Sequence, residues 1–394
     1  MNEDVDRITD FVDQELESTL AFLERLVNQP SIEGSIAIEH CLAIVADQVG
    51  LLGGRHSRPT FDGLSSLVCE WGANDEKGRL LLVAHADVVA AEGNWNSSPF
   101  SLVRRKASLI GRGVCDMKGG LAAFVGALKV VERFGALRET PVSLVVTGDE
   151  EVGSARGMIP LLREGLVTGK WAICGEPTSL KIFTGNRGVI WLRVEVEGKG
   201  GHAGMAHTLE NPVVGAALII QALNALPLEA YDERFDPPTP SLTVTSMYPN
   251  GPPVANTVPD SVTIAVDRRL LPGEIPEIVV SDIERAISGI ASENISARVL
   301  VDWTQPAYVC NSSDSLVFIM QSIVRTVGRD DLLGTDPAVD DSSWLGSAGI
   351  STILYGPGAP DQAHATNETV LIAEVRDAIE IYARLILAAS NRRL

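Results

Sequence analysis

Apolar residues recur at helical spacing from the start of the chain. Val5, Ile8, Phe11, Val12, Leu16, Leu20, Leu23 and Val27 form one stripe, which predicts a long amphipathic helix from about Asp4 to Asn28. Short uninterrupted apolar runs follow at Ser66–Trp71, Arg79–Ala84, Pro141–Thr147 and Trp171–Cys174, with a helical stretch over Gly119–Phe134 between them. Runs without polar alternation are the pattern of strands buried on both faces, as in a parallel-type α/β sheet. After Gly188 the texture changes. Val189–Glu197 (VIWLRVEVE) alternates apolar and polar residues, which predicts a strand with one solvated face. Helix Pro212–Leu226, strands Ser241–Ser246 and Ser261–Arg268, helix Ile275–Ile290 and strand Ser296–Asp302 complete a β-α-β-β-α-β order, a ferredoxin-like unit. From about Gln305 the α/β texture returns, with helix Ser315–Val327, strand Thr352–Tyr355 and helix Ile372–Ala389.

The pattern therefore predicts an α/β domain drawn from both chain ends, residues 1–187 and 304–394, around a smaller inserted α+β domain over 188–303. The length of 394 residues agrees, since it exceeds the size at which one hydrophobic core stops growing. With 45% hydrophobic and 21% charged residues, the composition is that of a globular protein and excludes a disordered acidic chain. Asp and Glu number 51 against 32 Lys and Arg, a formal charge of −19 that repels polyanions. Neither nucleic acid nor an anionic membrane surface is an expected partner. The first residues lack the basic and apolar regions of a signal peptide, and no apolar run reaches the roughly 18 residues of a membrane span. Five cysteines (Cys41, Cys69, Cys115, Cys174, Cys310) are scattered without CxxC spacing, as expected of reduced thiols. A cytoplasmic location follows as an expectation.

Several apolar runs end in residues with chemistry. In LLVAHADVV, His85 and Asp87 stand two apart near a strand end, where alternation sends both to one face. An imidazole beside a carboxylate is a metal ligand with its orienting partner; a merely polar strand end is the competing reading. GRGVCDMKGG places Asp116 among glycines directly before a helix. It lacks the Lys-Ser/Thr of a phosphate loop, and a central carboxylate suits a cation better than a phosphate. In VVTGDEEVGS, Asp149, Glu150 and Glu151 adjoin one another, which is costly unless solvent or a cation separates them. Consecutive residues at a strand end point in different directions. One can thus bind metal while its neighbour faces a water, the division between ligand and general base that hydrolytic zinc chemistry needs; a solvated acidic turn is the alternative. AICGEPTS ends in Glu176, and LYGPGAPDQAHATNE leads through a Gly/Pro loop to His364. Together these segments offer an oxygen and nitrogen donor set suited to zinc or a similar divalent ion.

AHAD, GRGVCDMKGG, DEE, GEPT and GPG–AH occur in the order and rough spacing of the dizinc M20 peptidase/deacylase family. The chain resembles the acetylornithine deacetylase/succinyl-diaminopimelate desuccinylase branch over nearly its whole length. The resemblance implies a central mixed sheet flanked by helices, a zinc-peptidase-like catalytic domain, with an inserted ferredoxin-like βαββαβ lid and dimerisation domain. It implies two divalent ions, Zn2+ with Co2+ able to substitute. Asp116 would bridge them, with His85 and Glu176 completing one site and Glu151 and His364 the other. Glu150 would be the general base and Asp87 the partner of His85. Glu at position 176, where dipeptidase relatives often carry Asp, tilts the reading toward deacylation.

The insert adds further implied roles. GKGGHAGMAHTLENPV matches the stretch whose histidine, here His202, steadies the tetrahedral oxyanion in the neighbouring subunit's site, which implies a homodimer. VANTVPDSVTIAVDRRLLPGE supplies Asn256 and Arg269 for the substrate carboxylate, with Arg268 leaving the register open by one. Backbone N–H groups of the Gly356–Gly358 loop would assist. His40, His56 and His207 are read as structural. Ala84, Ala90, Ala206 and Ser351 depart from the residues usual in the family without removing a ligand or the base. The implied activity is hydrolysis of an N-acyl-L-amino acid by metal-activated water. The rivals are a metallocarboxypeptidase or dipeptidase with the same centre, a catalytically silent metal-binding scaffold, and a cysteine amidase around Cys115.

Overall fold

A computed structural model describes residues 2–72, 78–290 and 295–390, and the side chains of the first helix from Asp6 onward. Two compact units emerge: residues 1–185, 309–334 and 340–394 form the first, and residues 186–308 with 335–339 the second.

The first unit is a mixed sheet between helices. In space its strands run Arg55–Ser57, Leu67–Trp71, Val142–Thr147, Leu80–His85, Trp171–Cys174, Ser351–Leu354, Ile182–Asn186. Leu80–His85 is parallel to both Val142–Thr147 and Trp171–Cys174, and Ser351–Leu354 is parallel to Trp171–Cys174. These four strands form a parallel block of the sheet. Leu67–Trp71 joins antiparallel to Val142–Thr147, and Ile182–Asn186 antiparallel to Ser351–Leu354. All six residues of Leu80–His85 are buried because both faces of the sheet are covered. Leu81, Val83, Val145 and Ala172 pack with Met158, Leu161 and Leu345 of two short helices, Met158–Arg163 and Ser342–Ser347. Three long helices, Asn2–Val27, Lys118–Arg133 and Ile372–Ala389, pack on one another. On the first, Ile8, Val12, Leu20, Leu23 and Val27 are buried as the stripe predicts; the side chain of Val5 lies outside the described residues.

Most boundaries move by one or two residues. The sequence reading omits the helix Ala37–Gly50, although Ala37, Ile38, Cys41, Leu42, Val45 and Val49 mark its buried face. It also omits the small antiparallel sheet of Val103–Arg105, Ser108–Ile110 and Thr369–Leu371. Its strands are too short to leave a periodic signal.

The second unit is β-α-β-β-α-β: Gly188–Glu197, Pro212–Ala225, Ser241–Pro249, Ser261–Leu270, Pro276–Ser288, Ser296–Gln305. Its antiparallel sheet has the order Ser241–Pro249, Ser261–Leu270, Gly188–Glu197, Ser296–Gln305. Alternation builds the core: Ile190, Leu192, Val194 and Val196 with Val262, Ile264 and Val266 meet Ile219, Leu223, Ile283 and Ile287 of the two helices.

Candidate metal centre and active site

Four parallel strands run the same way, so their C-terminal ends open along one edge of the sheet, where open α/β sheets place their ligands. His85 ends the Leu80–His85 strand, Glu150 and Glu151 form a turn beyond Val142–Thr147, and Glu176 lies beyond Trp171–Cys174. His364 follows the loop that leaves Ser351–Leu354. Asp116 comes from another direction, two residues before the Lys118–Arg133 helix. That helix lies against the sheet at Gly120, where an added Cβ would sit 2.1 Å from the Gly175 carbonyl oxygen. Glycine is required there for the helix to bring Asp116 beside Glu176.

The side chains converge in two groups. Donor atoms of His85, Asp116 and Glu176 lie within 4.8 Å of one another, as do those of Asp116, Glu151 and His364. His85 is 1% exposed, and its Nδ1 is 3.0 Å from the Asp87 carbonyl oxygen. A carbonyl only accepts, so Nδ1 carries a proton, which leaves Nε2 as the nitrogen that can ligate a metal. Nε2 lies 3.2 Å from Asp116 Oδ1, 3.9 Å from Glu176 Oε1 and 4.0 Å from Glu150 Oε2. On the other side, His364 Nε2 is 2.8 Å from Glu151 Oε2 and 3.5 Å from Asp116 Oδ2. Asp116 thus offers one oxygen to each group.

The Asp149–Glu151 triplet divides as its geometry requires. Asp149 turns inward and accepts the Arg156 N–H at 2.7 Å, while Glu150 faces His85 and Glu151 faces His364. Asp87 lies beside His85 and reaches Glu151 as well. Its carbonyl, more than its carboxylate, holds His85; the carboxylate Oδ2 accepts the Glu151 N–H at 3.0 Å, and Oδ1 is 3.5 Å from Nδ1. Asp87 therefore ties the two groups together through the backbone of Glu151.

The electrostatics call for positive charge. Burial raises the Glu150 carboxyl well above the usual carboxylate range, and the charges of Glu176, Asp341 and Glu151 reinforce it against His85. Burial and the charge of Asp116 likewise raise Glu151. Burial disfavours a charged His85, yet hydrogen bonds to Asp116 and Asp87 and the charge of Glu176 lift it well above its ordinary value. Glu151 Oε1 is buried without a hydrogen-bond partner among the described residues. Crowded carboxylates, two imidazole nitrogens and an orphaned oxygen fit divalent cations, with all-oxygen and nitrogen donors of the zinc type.

Other expected site residues fall elsewhere. The Gly356 N–H donates to Thr178 Oγ1 at 3.1 Å, and the Gly358 N–H to Glu374 Oε2 at 2.9 Å. Both N–H groups thus have acceptors within the fold. His202, Asn256 and Arg269 belong to the second unit. There the exposed His202 accepts the Gly204 N–H on Nδ1 at 3.0 Å, which puts the ring proton on Nε2 as a donor. The Asn256 carbonyl accepts the Ala203 N–H at 2.9 Å, so the two residues share one local structure. Strand alternation sends the two arginines to opposite faces. Arg268 is 3% exposed on the core side and paired with Glu274, whereas half-buried Arg269 lies on the other face beside Asp267. Two residues went unnoticed in the sequence. Glu368, three places beyond Ala365 in the His364 segment, is fully buried against the Asp116 loop; Asp341 is buried on Ser154 and Thr147. A lone acid in a loop carries no local signal of such a role.

Residues 81–388 match the sequence profile of peptidase family M20/M25/M40. The chain belongs to that family. It is a hydrolase acting on amide bonds. Among curated relatives, a succinyl-diaminopimelate desuccinylase of Methylorubrum extorquens is 28% identical over 387 residues, covering 94% of this chain and 98% of the relative. Among solved structures, an M20 family metallo-carboxypeptidase from Sulfolobus solfataricus superposes with a TM-score of 0.80 at 19% identity, covering 95% of this chain and 99% of that one. A Bacillus subtilis protein described as a dinuclear metal-binding peptidase of the M20 family gives a TM-score of 0.72 at 14% identity, covering 97% and 100%. At these identities the two structures speak for the M20 fold. Among the described residues, no helix is long and apolar enough to cross a membrane.

Proposed function

We propose that this M20 hydrolase cleaves the amide bond of N-acyl-L-amino acids, in the manner of a desuccinylase or deacetylase. The observation that carries the reading is the pair of three-ligand groups sharing Asp116, with Glu150 Oε2 4.0 Å from His85 Nε2 and outside both groups. His85, Asp116 and Glu176 would hold one divalent cation, and Asp116, Glu151 and His364 a second; zinc suits the donors, and cobalt would substitute. When bound, such cations lower the pKa of water and polarise an acyl carbonyl. Glu150 then takes the proton of the attacking water on its carboxylate and returns it to the leaving amine nitrogen. Its place beside His85 but outside both ligand groups suits that task. Asp87 keeps the proton on His85 Nδ1. The same reading gives His202, with its proton on Nε2, the developing oxyanion, and Asn256 and Arg269 the carboxylate of the substrate. It also gives the second unit a role in homodimer formation, through which His202 would serve the neighbouring subunit's site; sedimentation velocity tests this, and a fully active monomer refutes it.

The test is a panel of N-succinyl and N-acetyl amino acids beside dipeptides, with enzyme stripped by chelator and reloaded with zinc or cobalt. Hydrolysis of N-acyl amino acids that disappears with the metal and returns with it is expected. Preferential cleavage of dipeptides would move the reading to a peptidase, and hydrolysis indifferent to chelation would refute it.

A further inference from the structure

The fully buried carboxylate of Glu368 lies outside both ligand groups and accepts four hydrogen bonds. Its Oε1 accepts the N–H groups of Cys115 at 2.7 Å and Asp116 at 3.0 Å. Its Oε2 accepts the Gly113 N–H at 2.9 Å and Arg112 Nη1 at 2.8 Å. Three backbone donors within four residues can converge on one carboxylate only because the chain folds concavely there, with Gly113 at a φ of +80°. Arg112, itself buried, continues the chain of contacts: its Nη2 donates to the His364 carbonyl oxygen at 3.2 Å. One ion pair thus grips the backbone of the shared ligand Asp116 and of the loop ligand His364.

The two ligand groups depend unequally on such a grip. His85 ends a strand inside the sheet and Glu176 follows two residues after another, and His85 is further fixed by the Asp87 carbonyl. His364, by contrast, sits in a loop, has a side chain 54% exposed, and adopts a φ of +62°, a left-handed backbone that a non-glycine residue holds only under constraint. A ligand with so little packing of its own takes its position from its backbone anchors. We propose that Glu368 and Arg112 are positioning residues for the Asp116–Glu151–His364 group, setting its cation affinity more strongly than that of the His85–Asp116–Glu176 group, which shares Asp116 but takes its other two ligands from the sheet's strand ends. The inference rests on the two-cation reading of the centre.

Stepwise titration of metal-stripped protein with Zn2+, followed by calorimetry and by Co2+ absorption spectra, reads the two groups separately. Wild type is expected to bind two ions. Glu368→Gln keeps the shape of the side chain but turns an amide NH2 toward N–H donors. It should weaken the second binding step by about 10–100-fold, the usual effect of disturbing a group that supports a metal ligand, with the first step changed by less than about threefold. Arg112→Lys keeps a cation on Glu368 while replacing the planar fork that reaches His364, and should show the same selective loss. It serves as the probe if Glu368→Gln does not fold, which circular dichroism reports. Equal weakening of both steps, or no weakening, in a folded variant overturns the proposal and leaves the metal centre standing. Wild type that binds fewer than two ions overturns the two-cation reading itself, and this proposal with it.

Discussion

Replacing Glu150 by Gln separates the proton-transfer role from everything else the centre does. The side chain keeps its volume, and it is 13% exposed, so no cavity or strain is introduced. Glu150 belongs to neither ligand group, so two divalent ions should still bind. The change removes an ionisable carboxyl from a cluster in which burial and the charges of Glu176, Asp341 and Glu151 already disfavour its charged form. Metal-free stability should therefore hold or rise slightly. What is lost is a group able to accept and return a proton. General acid–base catalysis contributes about 10²–10⁴-fold, or about 3–5 kcal/mol of the barrier at room temperature. The assay is turnover of an N-acyl amino acid at saturating substrate, with metal content measured on the same sample by mass spectrometry. A kcat lowered by at least about a hundredfold, with KM little changed and two metals retained, is the expected outcome. A fully loaded variant within about threefold of wild-type kcat would refute the assignment of the base.

Further outcomes follow from the same geometry. Asp341 is raised from an ordinary 3.8 to about 7, chiefly by burial and then by the charge of Asp149, against the hydrogen bond from Ser154. Between those values the folded state holds a proton that the unfolded chain has released, so metal-free stability should fall as pH rises from about 4 to about 7. Asp341→Asn should flatten that slope in urea midpoints, gaining on the order of 2–4 kcal/mol at pH 8 and nothing below pH 4; an unchanged slope would exclude Asp341 as its source. Stripping the protein with dipicolinate should lower its melting temperature, because Asp116, Glu151 and Glu176 then face one another uncompensated; a melting temperature indifferent to zinc would exclude a resident cation. Gly120→Ala drives a methyl group to 2.1 Å from the Gly175 carbonyl oxygen, so it should cost about 1–3 kcal/mol and displace Glu176. An unchanged denaturant midpoint would show that helix and strand are not held as closely as described.

The chemistry of the centre was legible in the sequence because each piece is local. A buried strand announces itself as an unbroken apolar run, and the residue at its end is read directly: His85, the Asp149–Glu151 turn and Glu176 all follow this rule. Alternation likewise marked the second unit, whose strands have one covered face. The sheet order was not legible. Nothing local tells Leu67–Trp71 that it lies antiparallel beside Val142–Thr147, because strand pairing depends on chain crossings and not on composition.

What only tertiary structure decided concerns who occupies whose hydrogen bonds. The glycine N–H groups expected to meet substrate are taken by Thr178 and Glu374, partners that no motif around Gly356 or Gly358 reveals. Asp87 holds His85 by its carbonyl and Glu151 by its carboxylate, a division settled by the position of the neighbouring strand end. Arg268 and Arg269 are interchangeable in the sequence until the strand pairing sends one into the core. Glu368 finds its donors more than 250 residues away in the chain. The sequence alone determined which donor atoms the protein owns and, from strand ends and turns, which segments carry them. Their distances, and the satisfied or unsatisfied state of each polar group, are properties of packing between distant segments, which a one-dimensional pattern does not contain.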